Sequence, residues 1–275
     1  MDSASNLIWH YTSTAAFVEI IKDDGCLYAS HSAFVNDKTD STLAAEYLCQ
    51  YLKFQNIAIW KIDDLARLCD GAVNGILRPR YVTSFSLVED DLSQWRAYSS
   101  DGGYAMGFDL EELKHNLNYN GTDDYDLKPC QYVSEEYFNS IKIENCKELE
   151  SFKSNGIFDL QNDAQMKLAG QISRRLNEMA FEAMFYKNKS FEAEQEVRFG
   201  IIYNGLSPYH DMAIVNNTPR VAIKLKRPIN QLIKKVIVAP HKNSDNNYIL
   251  ANLLKNKYSL KIDIVKSSIP YVCTR

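Results

Sequence analysis

The chain has no long hydrophobic run. None of its apolar stretches approaches the roughly 18–20 residues that a helix needs to cross a bilayer, so the sequence predicts no membrane span. Residues 1–6 also lack the basic segment and apolar core of a secretory signal peptide. We therefore expect a cytoplasmic protein without a membrane partner.

The cysteines are not arranged as metal ligands. They form no Cys-x-x-Cys pair, and no histidine stands at ligand spacing from them. We expect them to be reduced and mostly buried, and we expect no metal site. The six are Cys26, Cys49, Cys69, Cys130, Cys146 and Cys273.

An excess of positive charge is missing as well. The chain has 31 Lys and Arg against 35 Asp and Glu, which gives a formal net charge of −4. This balance argues against a protein that coats nucleic acid, because such binding comes from neutralised phosphates. It leaves room for a local basic patch.

The composition that remains is that of a globular protein, with 45% hydrophobic and 24% charged residues. No internal repeat or low-complexity linker divides the chain, so we expect one domain over residues 1–275. Short strands alternating with helices indicate an α+β fold. Helices are predicted at residues 43–52, 57–76 and 158–186, with a polar loop at Asn36 and Asp37.

The functional prediction depends on residues 189–203, which we interpret as a strand. Glu194, Glu196 and Arg198 share one parity, and apolar side chains at 197, 199 and 201 share the other. The two carboxylates would then lie on one face, about 6.5–7 Å apart, where they could grip one polar ligand while the arginine tempers their repulsion. The alternative is an ordinary half-exposed strand with a solvated charged face.

Earlier segments carry further polar and aromatic groups. His10, Tyr11 and Thr12 end a short apolar strand and indicate the rim of a pocket, which Tyr28 on the next predicted strand could also face. Residues 81–87 predict a strand with interleaved hydroxyls, and residues 90–98 a short amphipathic helix. Trp95 on that helix suits a pocket or the core equally well.

In this order the motifs resemble those of an uncharacterised bacterial family often met in phage-defence settings. The resemblance spans nearly the whole chain and includes an ending at residues 268–271. That family in turn looks like a distant branch of the NAD-dependent ADP-ribosyltransferases, which implies a split mixed β-sheet with flanking helices. The motifs are His-Tyr-Thr at 10–12, Asn-Asp at 36–37, Ser-Phe-Ser at 84–86, Gln-Trp-Arg-x-Tyr at 94–98 and Glu-x-Glu-x-Arg at 194–198.

The resemblance implies a catalytic role for Glu196. Cleavage of the nicotinamide–ribose bond builds positive charge on the ribose, as in glycoside hydrolysis, and a carboxylate at the ribose hydroxyls stabilises that charge. Glu196 would bind the ribose 2′-hydroxyl, and Glu194 would orient or deprotonate the nucleophile. The second glutamate of the motif is the catalytic one in the family that this chain resembles.

The resemblance also implies residues that bind NAD, the co-substrate. His10 would hold the adenosine-side ribose together with Tyr11 and Thr12, so His10 and Glu196 would have to meet across one cleft. Tyr28 would stack on nicotinamide, and either Arg96 or Arg198 would pair with the pyrophosphate. Ser84 and Ser86 match the serine strand, but Phe85 replaces its central threonine; whether Tyr28 or this strand lines the nicotinamide pocket stays open.

Several functions fit these residues. The first is a toxin or phage-defence effector that transfers ADP-ribose to nucleic acid, either RNA or single-stranded DNA, and that an antitoxin could control. Transfer to protein, NAD hydrolysis with water as acceptor, and NAD or nucleotide sensing without transfer are the alternatives. A nucleic-acid acceptor would be guided by basic residues around the late motif, namely Arg174, Arg175, Lys187, Lys189 and Arg198.

Overall fold

A computed structural model describes residues 7–34, 79–99, 102–119, 124–134, 178, 181–202 and 212–270. The described residues form a mixed α+β fold around a ten-stranded, mostly antiparallel sheet, which confirms the predicted α+β class. None of the described helices is long and apolar enough to cross a membrane. Predictions that lie outside the described residues are Asn36 and Asp37, the helices at 43–52 and 57–76, Arg174, Arg175, Tyr271, most of the helix at 158–186, and the cysteines at 49, 69, 146 and 273.

The helices whose bounds lie within the described residues are short, with one exception. They are α1 (Thr14–Ile20), α2 (Leu92–Tyr98), α3 (Leu110–Asn116) and α4 (Ser244–Lys257). The first half of the chain contributes the strands β1 (Leu7–Ser13), β2 (Tyr28–His31), β3 (Arg80–Ser86), β4 (Gly103–Asp109), β5 (Asp124–Pro129) and β6 (Gln131–Val133). The second half contributes β7 (Tyr186–Asn188), β8 (Glu196–Ile202), β9 (Met212–Val215), β10 (Thr218–Ala222), β11 (Ile233–Val238) and β12 (Asp263–Lys266).

The sheet divides at β3. One edge of β3 pairs along its whole length with β8, which in turn pairs with β5. Two strands share the other edge: β1 meets it at Trp9–Ser86, and β2 meets it at Ser30–Val82 and His31–Tyr81. From there one arm continues through β4, β11 and β12, and the other through β10 and β9. The described strands thus leave a split beside Ser84, between β1 and β2.

Two apolar clusters cover the two sides of β1, as the alternation of its side chains requires. Ile8 points into the larger cluster, which contains Phe85 and much of α1, β4 and β8. Trp9 and Tyr11 point into the smaller one, where they meet Trp95 of α2. The Trp95 Nε1 donates to Asp90 Oδ1 at 2.8 Å, so this ring belongs to the core rather than to an open pocket.

The strand predicted at residues 189–203 is shorter in the structure and more deeply buried. Residues 189–194 form a 3-10 turn, in which the Asn188 side chain accepts from the Ser190 N–H, and the strand begins only at Glu196. The predicted apolar face is buried, but so is the charged face, because β8 is covered on both sides. Both the regular strand through Glu194 and the solvated charged face are therefore wrong.

Two further predictions needed correction. The polar composition of residues 115–150 predicts a loop with a single strand at residues 130–133. The structure has a strand at Gln131–Val133, but Asp124–Pro129 forms a further strand, β5. Its flanking polar residues favour a loop locally, and pairing with the buried β8 outweighs that preference. Likewise, the helix predicted to run to Tyr186 ends earlier, because Tyr186 begins β7 and pairs with Gln131.

Candidate functional site

Glu196 is a buried carboxylate held by two cations. Its side chain is 5% exposed. Arg198 donates from Nε to Oε1 at 2.7 Å and from Nη2 to Oε2 at 3.1 Å, and Lys187 Nζ donates to Oε2 at 2.6 Å. Burial by itself would raise the pKa of this carboxyl, but Arg198 and Lys187 outweigh burial and bring the pKa to about 2. Glu196 is therefore ionised at neutral pH and suits charge stabilisation, not proton donation.

Lys187 brings the second carboxylate to the same place. Its ammonium also donates to Glu194 Oε2 at 2.6 Å, so one lysine joins both glutamates of the late motif. Burial lowers the pKa of Lys187, but the attraction of Glu196 and the hydrogen bond that the ammonium donates to Glu194 outweigh burial, so the pKa is raised overall. Both carboxylates thus bind one lysine, and a turn brings them together rather than the predicted spacing of a strand.

The backbone around the two glutamates is fixed by hydroxyl groups. Ser86 Oγ donates to the Glu194 carbonyl at 2.7 Å and accepts from the Val88 N–H at 3.0 Å. Tyr132 Oη accepts from the Glu196 N–H at 2.6 Å. Ser86, predicted to contact the cofactor, therefore positions the turn that carries Glu194.

Tyr98 lies within electrostatic reach of the carboxylates. Its pKa is raised by burial first and then by the negative charges of Glu196 and Glu194, which shows that its phenol is in their electrostatic reach. The residue is 44% exposed, so part of its side chain is accessible to solvent. The prediction from sequence did not place Tyr98 in the site, although it ends the motif at residues 94–98.

Arg198 is engaged inside the protein. Besides its two bonds to Glu196, Nη1 donates to the Met184 carbonyl at 2.7 Å, and the side chain is 6% exposed. This geometry favours Arg198 as the partner of Glu196. Arg96, the other candidate for the pyrophosphate, is exposed on α2.

His10 lies in the split of the sheet. Its Nδ1 is 3.1 Å from the Ser84 carbonyl oxygen, and its ring centroid is 5.6 Å from that of Phe85. Burial lowers its pKa, the bond to Ser84 opposes that shift, and the charge of Arg220 adds to it, so the ring is neutral at pH 7.

The register separates His10 from Glu196. Trp9 pairs with Ser86, and Ser86 pairs with Glu196, so these three side chains point to one face. His10 points to the other, on the Phe85 side. The two residues do not meet on one face of the sheet, and they could share a ligand only across the split beside Ser84.

The other predicted cofactor residues differ in their exposure and in whether their polar groups are already hydrogen-bonded inside the protein. Tyr11 Oη donates to the Val88 carbonyl and accepts from the Asp91 N–H, both at 2.9 Å, so its hydroxyl is used internally. Thr12 is buried. Tyr28 is 38% exposed, and its register with β3 puts it on the same face as Ser84 and Glu196.

The comparison with protein families matches a part of the chain. The profile of a family described as "Protein of unknown function (DUF2971)" matches residues 94–199, which is less than half of the sequence. The matched segment runs from α2 into β8 and so contains Tyr98, Lys187, Glu194 and Glu196. No curated protein and no solved structure matches the chain.

Proposed function

We propose that the protein is an NAD-dependent ADP-ribosyltransferase in which Glu196 stabilises the positive charge that develops on the ribose. The observation that carries the proposal is the ionised, buried Glu196 carboxylate beside Glu194 and Tyr98. A split sheet, as the resemblance implies, supports the same conclusion.

The carboxylate of Glu196 has room for one more donor. A carboxylate offers about four lone-pair positions. Among the described residues, Arg198 occupies one on each oxygen and Lys187 a second on Oε2, so these donors leave one position on Oε1. A ribose 2′-hydroxyl would donate to it, and the negative charge would act more strongly on the transition state than on the ground state.

Glu194 and an exposed tyrosine would complete the transfer of ADP-ribose. The bond between ribose C1′ and the nicotinamide nitrogen breaks, and its electron pair leaves with nicotinamide, which becomes neutral. The acceptor forms the new bond to C1′ and gives its proton to Glu194. Tyr98 or Tyr28 supplies an aromatic face for nicotinamide, since both are partly exposed on the Glu196 side of the sheet.

A purely structural ion network is the competing explanation. Buried ion pairs are often no more stabilising than apolar residues of the same volume, because two charges must be desolvated. A four-residue network of Lys187, Glu194, Glu196 and Arg198 is thus a weak device for stability alone. An aromatic side chain beside it adds to the case for a ligand.

The second part of the proposal concerns the molecule that accepts ADP-ribose. Nucleic acid remains the first acceptor to test, in a toxin or phage-defence effector that an antitoxin could control. Two cations of the predicted guiding patch, Lys187 and Arg198, are neutralised by glutamates, while Lys189 is exposed. Protein therefore stays the alternative acceptor, and water and a non-catalytic sensor stay as further outcomes.

The test follows labelled NAD in a lysate that contains RNA, DNA and protein. Wild type should move label into one of these polymers, and Glu196→Gln should lose transfer by at least 100-fold, as expected for a group that acts in the transition state. Glu192→Gln, which changes an exposed carboxylate of the same turn, is the matched control and should keep full activity.

Each other outcome has a distinct meaning. Free ADP-ribose without labelled polymer would identify a glycohydrolase. Binding of NAD without turnover would identify a sensor. A wild-type protein that does not bind NAD at all would contradict the proposal.

A further inference from the structure

Arg80 is a buried cation with no partner among the residues that the structure describes. The residue is 2% exposed, and in the described part of the chain neither Nη1 nor Nη2 has a hydrogen-bond partner. Burial lowers its pKa to about 10, so the guanidinium is still charged at neutral pH. It begins β3, at the end of the strand opposite to Ser86.

Two more unpartnered groups lie in the same corner of the sheet. Arg220 pairs with Ser30, which pairs with Val82, so Arg220 and Arg80 point to one face from strands two apart. Ser32 follows directly on His31, whose partner is Tyr81, and therefore lies beside Arg80. The Nε of Arg220 and the Oγ of Ser32 are buried and, among the described residues, have no hydrogen-bond partner.

The free-energy cost of burying arginine without a counter-charge indicates that an anion binds here. An arginine cannot escape burial by losing its proton, and a buried charge without a counter-charge is strongly unfavourable. Among the described residues, neither Arg80 nor Arg220 forms an ion pair with a carboxylate. Guanidinium groups match the oxygens of phosphate in pairs, and a serine hydroxyl adds a third donor.

We propose that Arg80, Arg220 and Ser32 form a binding site for a phosphate group, carried by inorganic phosphate or by a small nucleotide. The depth of Arg80 suits a small or terminal phosphate better than the backbone of a polymer. Six residues of β3 separate Arg80 from Ser86, which pairs with Glu196, and this corresponds to about 20 Å. The site is thus distinct from the carboxylate cluster, although Arg220 lies on the same face of the sheet as Tyr28 and its charge reaches His10.

The test measures the melting temperature of the full chain without NAD. Inorganic phosphate and adenosine 5′-monophosphate are each titrated at constant ionic strength, with sodium chloride as the reference salt. Wild type should show a saturable rise of roughly 5 °C, because a ligand that binds only the folded state stabilises it. A nucleotide that acts at much lower concentration than phosphate would identify a nucleotide site; equal potency would identify a phosphate site.

Three variants make the test specific. Arg80→Met should abolish the rise, and in phosphate-free buffer it should melt at the wild-type temperature or above, since it removes an unpaired buried charge. Arg220→Gln should weaken phosphate binding at least tenfold. Arg227→Gln is the matched control, because this arginine is exposed and pairs with Glu112, and it should respond as wild type does.

Two results would overturn the proposal. One is a wild-type response to phosphate no larger than its response to chloride. The other is a response that persists in Arg80→Met, which would show an adventitious ion only. If Arg220→Gln alone responds as wild type, the site does not include Arg220 and the assignment fails in that part. Equilibrium dialysis with labelled phosphate gives the same answers for a variant whose melting is too broad to read.

Discussion

At the scale of single residues, Glu196 is kept ionised by Arg198 and Lys187, so removing one of these cations should destabilise the folded protein. Arg198→Met would leave a buried carboxylate with one partner fewer, and we expect it to lower the free energy of unfolding by about 3–5 kcal/mol. The double variant Glu196→Leu/Arg198→Met should recover most of that loss, because both desolvated charges are gone. Urea unfolding measures both; a double variant as unstable as the single one would contradict this account.

The charge of Glu196 also makes stability depend on pH. Its pKa is lowered from 4.5 to about 2 on folding, so its stabilising contribution is present above pH 4.5 and is lost as the pH falls towards 2. The shift corresponds to a contribution on the order of 3 kcal/mol. Wild type should lose that much more stability than Glu196→Gln between pH 5 and pH 2, measured by urea unfolding at each pH. Parallel curves for the two proteins would contradict the lowered pKa.

At the scale of elements, the turn at residues 189–194 decides where Glu194 lies, and Gln195 closes it. Gln195 has a φ of 42°, in the left-handed region that glycine adopts without strain. Gln195→Gly should therefore be neutral or stabilising by up to about 1 kcal/mol, whereas Gln195→Val should destabilise by more than 1 kcal/mol. Thermal unfolding distinguishes the two, and NAD turnover in Gln195→Gly reports whether Glu194 has kept its position. Equal effects of both substitutions would show that the turn does not depend on this conformation.

This turn also marks the limit of what the sequence could predict. Alternation correctly predicted the buried positions of Val197, Phe199 and Ile201, because a strand repeats every two residues. It failed at Glu194, where a side-chain cap at Asn188 and a left-handed residue replace the strand with a turn. Lys187 could not be found by spacing either: seven residues from Glu194, it reaches the carboxylate only because the chain folds back. The resemblance supplied the late motif, and the structure supplied its cations.

At the scale of the whole molecule, the sheet is organised by β3, which is the strand shared by both arms. The predicted α+β class follows from the alternation of short strands and helices, but the split does not. The split depends on the pairing of β1 and β2 with the same edge of β3 at different positions along it, Trp9 opposite Ser86 and Ser30 opposite Val82. No local sequence pattern encodes such long-range pairing. The same pairing separates His10 from Glu196 by face and brings Tyr28 to the Glu196 side. Sequence could therefore name candidate residues more easily than it could say which of them meet.

The split gives the last prediction, which concerns His10. If NAD crosses the split beside Ser84, His10→Ala should raise the Kd for NAD about tenfold and leave the rate of the chemical step unchanged, because His10 and the Glu196 carboxylate point to opposite faces of the sheet. His115→Ala is the matched control, since this histidine is exposed on α3 and should change neither value. Calorimetric titration gives the Kd, and single-turnover kinetics give the rate. A folded His10→Ala protein that binds NAD as wild type does would assign His10 to the structure of the split alone, with its bond to the Ser84 carbonyl holding β1 against β3. The ligand would then lie wholly on the face that carries Glu196, Tyr98 and Tyr28.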